Sequence, residues 1–139
     1  MIYYQPKYFQ PQELLPPEIY DEIKEEGLWL IDYRMLKTVD ILRDFFGKPI
    51  TINNWVFGGD RKYSGLRPFN TIVGAKYSQH KYGRAMDCII MDVPAEDARH
   101  QIMLNQQHFS CITCMEKGVS WLHIDCRATN VPNIILIDP

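Results

Sequence analysis

The chain has 139 residues, the length of one ordinary domain, which buries enough apolar surface to fold without covalent staples. It is 46% hydrophobic and 23% charged, with 15 basic against 17 acidic side chains. That profile argues against disorder, and a formal net charge of −2 provides no electrostatic footprint for generic nucleic-acid binding. No apolar run approaches the roughly 18 residues of a membrane span, and Met1 to Pro6 lack the charged and apolar regions of a secretory signal. The expectation is a chain made in the cytoplasm that reaches the cell wall, if it acts there, by a separate release route.

Residues 1–17 are rich in Pro, Tyr and Gln and end in Pro16-Pro17. They read as an extended arm whose Tyr3, Tyr4, Tyr8 and Phe9 cover an apolar surface of a single domain at 18–139. Residues 18–26 predict a short helix ended by Gly27. Asp32 is an N-cap for a second helix, in which Met35, Val39, Leu42 and Phe46 recur at helical spacing and Gly47 marks the stop. Lys48-Pro49 leads into a short strand at 50–52. Residues 58–77 carry the turn signals Gly58-Gly59-Asp60, Ser64-Gly65 and Arg67-Pro68, and a loop of that length inside a domain is usually functional. A strand follows at 84–91, then a helix at 94–109 with Pro94 in its first turn. Residues 111–115 and 121–126 form an antiparallel hairpin across Lys117-Gly118, and 134–137 add an edge strand. The order gives an α+β class, a small antiparallel sheet flanked by helices.

Four cysteines include Cys111-x-x-Cys114, half of a structural zinc site with no second pair at zinc-finger spacing. They read as small apolar side chains. His100 and His108 fall on the helix at 94–109 and read as surface residues.

The residues that carry chemistry are Ser78-Gln79-His80-Lys81-Tyr82-Gly83-Arg84-Ala85-Met86-Asp87, with His123 in Trp121-Leu122-His123. Two imidazoles and a carboxylate are a ligand set for catalytic zinc that leaves one coordination position open; the same set also suits iron. In extended chain Ala85, Asp87 and Ile89 share one face, as do Trp121, His123 and Asp125, so neighbouring strands would bring Asp87 to His123. Gly83 permits the turn that returns His80 over the same face. Asp87 sits in an otherwise apolar strand, where a carboxylate needs a cation or several donors.

Ser-x-His-x-x-Gly-Arg-Ala-x-Asp followed by Trp-x-His resembles the metal-binding signature of the Hedgehog/D-alanyl-D-alanine-peptidase superfamily, peptidase family M15 and its phage endolysin relatives. Ser64-Gly65-Leu66-Arg67 with Asn70 is similar to the segment that precedes the first histidine in that family, and the likeness runs over about residues 36–127. It implies a Hedgehog/DD-peptidase-like fold with His80, Asp87 and His123 as ligands of one Zn2+ ion, and Ser78 as a partner that orients the first histidine. Arg67 would bind substrate and stabilise charge on the scissile carbonyl, with Asn70 and Trp121 beside it as substrate-binding residues. Many relatives carry a general-base carboxylate three residues before the last histidine, a position held here by Ser120. Glu116, carried back by an antiparallel register, and Asp125, on the His123 strand face, are both candidates for that role. The activity implied is zinc-dependent hydrolysis of peptide bonds in bacterial peptidoglycan, of the D-Ala-D-Ala carboxypeptidase or L-Ala-D-Glu endopeptidase type, possible also in a phage-encoded enzyme. A cytosolic dipeptidase for free D-alanyl dipeptides and a non-catalytic zinc-binding module, such as a virion component, stand beside it.

Overall fold

A computed structural model describes residues 4–139. The first strand, β1 (Ile50–Thr51), follows two helices, α1 (Pro17–Ile23) and α2 (Tyr33–Phe46). Then come β2 (Ala85–Ile90), α3 (Ala95–Leu104), β3 (Cys114–Glu116), β4 (Leu122–Asp125) and β5 (Ile135–Ile137). The strands make one five-stranded sheet in the order β1-β2-β4-β3-β5, giving a single-domain α+β fold.

The sheet is mixed rather than antiparallel as the sequence suggested. β1–β2, β2–β4 and β3–β4 are antiparallel, whereas β3 and β5 are parallel. One edge of β4 is taken by β2 and the other by β3, and the chain that reverses after β4 pairs on the far side of β3. There it runs in the direction of β3.

The α2 helix begins where Asp32 accepts the Arg34 backbone N–H at 2.9 Å and ends at Gly47, whose φ of 62° is left-handed. Met35, Leu36, Val39 and Leu42 from its inner face pack with Met86, Cys88 and Ile90 of β2, Met115 of β3 and Ile124 of β4. The intervening residues of β2, Asp87 and Ile89, are the more exposed ones. One face of the sheet therefore makes the core and the other remains available for chemistry.

Three local expectations are corrected. The first helix stops at Ile23 because Lys24 adopts a φ of 56°, and Gly27 lies inside a 3-10 segment, Lys24–Leu30. Gly27 is there for packing, since a Cβ would lie 2.7 Å from Leu15 Cδ1. The helix expected over 94–109 is two pieces, α3 and a 3-10 turn at Gln106–Phe109, separated by Asn105 at φ −128°. The N-terminal segment is more than an extended cover: it contains a 3-10 turn at Pro11–Glu13, and Phe9, Leu14 and Leu15 are core residues. Asp40 on α2 anchors it, accepting from Tyr4 Oη (2.8 Å) and from the backbone N–H groups of Lys7 (2.8 Å) and Tyr8 (3.2 Å). Tyr3 and the start of the expected arm lie outside the described residues.

The four cysteines are free thiols, and burial raises the values of Cys88, Cys114 and Cys126, as expected of small buried side chains. Among the described residues no helix is long and apolar enough to cross a membrane.

Candidate metal centre

Among the described residues, one group of His, Cys, Asp and Glu side chains converges closely enough to hold a metal ion: His80, Asp87 and His123, whose ligand atoms all lie within 4.8 Å of one another. Two of the three are placed by strand register. Asp87 on β2 is the direct cross-strand partner of His123 on β4, so both side chains leave the same face of the sheet.

His80 arrives from a 3-10 turn, Gln79–Tyr82. Ser78 Oγ caps this turn by accepting the His80 backbone N–H at 3.3 Å, and Gly83 ends it at φ 67°. Gly83 is required twice over, since a Cβ there would also sit 2.1 Å from the Leu30 carbonyl oxygen.

Each imidazole is oriented by its outer nitrogen. His80 Nδ1 lies 2.8 Å from the Gly65 carbonyl oxygen, which can only accept, so Nδ1 donates to it and Nε2, 3.2 Å from Asp87 Oδ2, is the nitrogen turned toward the other two ligands. His123 Nε2 lies 2.9 Å from Asp125 Oδ2, and its Nδ1 lies 2.8 Å from Asp87 Oδ1. The donor set is therefore His80 Nε2, an Asp87 oxygen and His123 Nδ1, two imidazole nitrogens and one carboxylate. These donors fit a divalent transition ion such as zinc.

The ligand side chains shift one another's protonation. Burial alone would lower the His123 value, but the hydrogen bonds it donates to Asp125 and Asp87 outweigh it and hold the imidazole up at about 9. Burial would raise Asp87; contacts with His123 and His80 outweigh it and hold the carboxyl well below its ordinary range.

Asp125 is fully buried, and Arg127 donates to both of its oxygens, through Nε at 2.8 and 3.1 Å and through Nη2. This corrects one of the sequence-based candidates. Asp125 shares the strand face of His123, but both its oxygens are committed to holding His123 and Arg127, which leaves it the part of an orienting carboxylate rather than a base open to water. The Asp125-x-Arg127 spacing of an i, i+2 pair in extended chain was the available signal for that contact.

Glu116 does come to the site. Its Oε2 lies 4.0 Å from His123 Nδ1, and its side chain, 21% exposed, lines the same cleft. Ser120 is exposed and lies on a separate depression of about 360 Å3 between β2 and the start of α3, which contains none of the three ligands.

The cleft over the ligands has a volume of about 440 Å3 and is walled by Arg67, Ser78, Glu116, Trp121 and Arg127, with Ile137 to Pro139 along one side. Arg67 is only 9% exposed. Its Nε and Nη2 donate to the Tyr63 carbonyl at 3.3 and 3.1 Å, and Nη1 reaches Ser78 Oγ at 3.4 Å. Burial pushes its guanidinium below the ordinary value, against the pull of Asp87 and Glu116. Ser78 thus touches both the His80 turn and Arg67. Trp121 is half-buried in the cleft wall, whereas Asn70 is exposed on the preceding loop and does not line the cleft. A loop asparagine next to a site in sequence carries no signal of which way the loop turns. His100 and His108 are exposed and remote from the three ligands.

No family model, no curated protein and no solved structure matches this chain.

Proposed function

We propose that this chain is a zinc-dependent peptidase of the Hedgehog/D-Ala-D-Ala-peptidase superfamily that hydrolyses peptide bonds of bacterial peptidoglycan. The observation that carries the reading is the convergence of His80, Asp87 and His123 with a further carboxylate, Glu116, at 4.0 Å from the His123 ligand nitrogen. A purely structural metal site closes its coordination with a fourth protein ligand. Here three protein ligands face a cleft, and a further carboxylate, Glu116, lines that cleft outside the converging group, where it can serve a proton.

A bound zinc ion supplies Lewis acidity toward a carbonyl oxygen and toward water. Glu116 accepts the proton of the attacking water and returns it to the leaving amine. Arg67, desolvated and, among the described residues, in no salt bridge with a carboxylate, presents a planar fork to an anionic group of the substrate or to the carbonyl oxygen as it gains charge. Trp121 packs against the bound peptide. Asp125 and Gly65 keep the two imidazoles in their ligating tautomers. The assignment of peptidoglycan as substrate rests on the sequence signature.

A non-catalytic zinc module is the second reading, favoured by Ser120 at the position where many relatives place their base. One experiment separates them: hydrolysis of peptidoglycan fragments by the zinc-loaded protein and its Glu116→Gln variant. The peptidase reading expects cleavage that falls by about two to four orders of magnitude in the variant. A zinc-loaded wild type without hydrolysis leaves the binding module.

A further inference from the structure

Glu116 ends β3, and its attachment to β4 is thin. The β3–β4 ladder contains only the pairs Cys114↔Asp125 and Met115↔Ile124, so it stops one residue short of Glu116. On the other edge Glu116 pairs with Ile137 of β5. Beyond it the chain turns through Gly118, at φ 76°, where a Cβ would meet nothing within 4 Å. A carboxylate at the end of a short strand next to an open turn needs another restraint if it is to stay at a fixed distance from His123.

That restraint comes from α3. Arg99 is 4% exposed, and its Nη1 donates to the carbonyl oxygens of Glu116 (3.3 Å) and Trp121 (3.1 Å). Nη2 donates to the Val119 carbonyl at 3.0 Å. Glu96 balances the charge, accepting from Nε at 3.2 Å and Nη2 at 2.9 Å. One guanidinium thus gathers three carbonyls from the end of β3, the turn and the approach to β4. The first and last of these residues, Glu116 and Trp121, both present side chains to the metal cleft. A lysine ammonium would keep the charge but not the planar fork that spans several carbonyls at once.

We infer that Arg99 is a positioning residue that fixes Glu116 beside the metal ligands by tying both ends of the β3–β4 turn to α3. The inference rests on the proposed role of Glu116. It acts through backbone carbonyls, with no contact between Arg99 and substrate.

The test is a double-mutant cycle on the full chain, with Arg99→Lys, Glu116→Gln and the combined variant, scored per folded molecule by circular dichroism. Arg99→Gln supplies a second replacement should Arg99→Lys fail to fold. The first readout is zinc affinity by chelator competition. Each single variant is expected to bind zinc several-fold more weakly, Glu116→Gln because it removes a negative charge near the cation and Arg99→Lys because it lets that charge move away, and the combined variant no more weakly than Glu116→Gln alone. The second readout is turnover of peptidoglycan fragments, in which Arg99→Lys lowers kcat with KM near the wild-type value. Losses that multiply in the combined variant, or an Arg99→Lys protein that binds zinc and turns over like the wild type, overturn the inference. Absence of turnover in the wild type removes the peptidase reading alone, because the zinc-affinity cycle is read without substrate.

Discussion

Asp125 Oδ2 lies 2.9 Å from His123 Nε2 and is fully buried, so the inner carboxylate determines which nitrogen of His123 faces Asp87. Arg127 donates to the same carboxylate and keeps it ionised, and its hydrogen bonds together with that of His123 hold the Asp125 value below its ordinary range against the effect of burial. The chain Arg127–Asp125–His123 is a device for delivering one lone pair to one place.

Asp125→Asn tests that device. The amide can present its N–H₂ to His123 Nε2, which favours the tautomer with the proton on Nδ1 and turns the ligating nitrogen into a donor. Zinc affinity is expected to fall by about 10- to 100-fold, measured by chelator competition, with the folded spectrum retained. Unchanged affinity would place the control of His123 elsewhere.

The protonation state of His123 gives the metal-free and metal-loaded proteins opposite pH responses. Its folded value is raised from 6.5 to about 9, so its carboxylate contacts stabilise the metal-free protein fully below pH 6.5, and that contribution is lost as the pH rises through about 9. Asp87 is lowered from 3.8, so its contribution holds above that pH and is lost on further acidification. Zinc must displace the Nδ1 proton. The zinc dissociation constant should therefore fall by about tenfold per pH unit across that same upper window, while the metal-free melting temperature declines. Melting curves with and without zinc read both; an affinity flat between pH 6.5 and about 9 contradicts the charged His123.

Arg67 separates substrate handling from metal binding. Its guanidinium donates to the Tyr63 carbonyl and Ser78 Oγ and to none of the three ligand side chains, and a lysine leaves its backbone N–H bond to the His80 carbonyl intact. Arg67→Lys is expected to lower kcat/KM by about 100-fold or more on peptidoglycan fragments, with zinc affinity within about twofold of wild type. Equal loss of both would make Arg67 part of the metal site's frame.

The features legible in the sequence are those fixed by local chemistry. Asp32 and Gly47 bound α2 because a carboxylate satisfies free N–H groups and glycine tolerates φ 62°. Period-two alternation placed Asp87 and His123 on matching faces, and their register bears this out. What was not legible depends on contacts far apart in the chain. The parallel course of β5 depends on its pairing with β3, Gly27 answers to Leu15, and Asn70 is exposed on a loop and does not line the cleft. Asp125 stands beside Glu116 as a candidate base in the sequence because strand alternation gives a face and says nothing of depth.

The central claim is that His80, Asp87 and His123 jointly bind one divalent ion. Metal analysis of the purified protein beside His80→Ala and His123→Ala tests it most directly: the account predicts about one zinc per wild-type chain and loss of tight binding in each variant while the fold is retained. A wild-type protein that binds no divalent ion, or either variant retaining stoichiometric zinc at wild-type affinity, would contradict it.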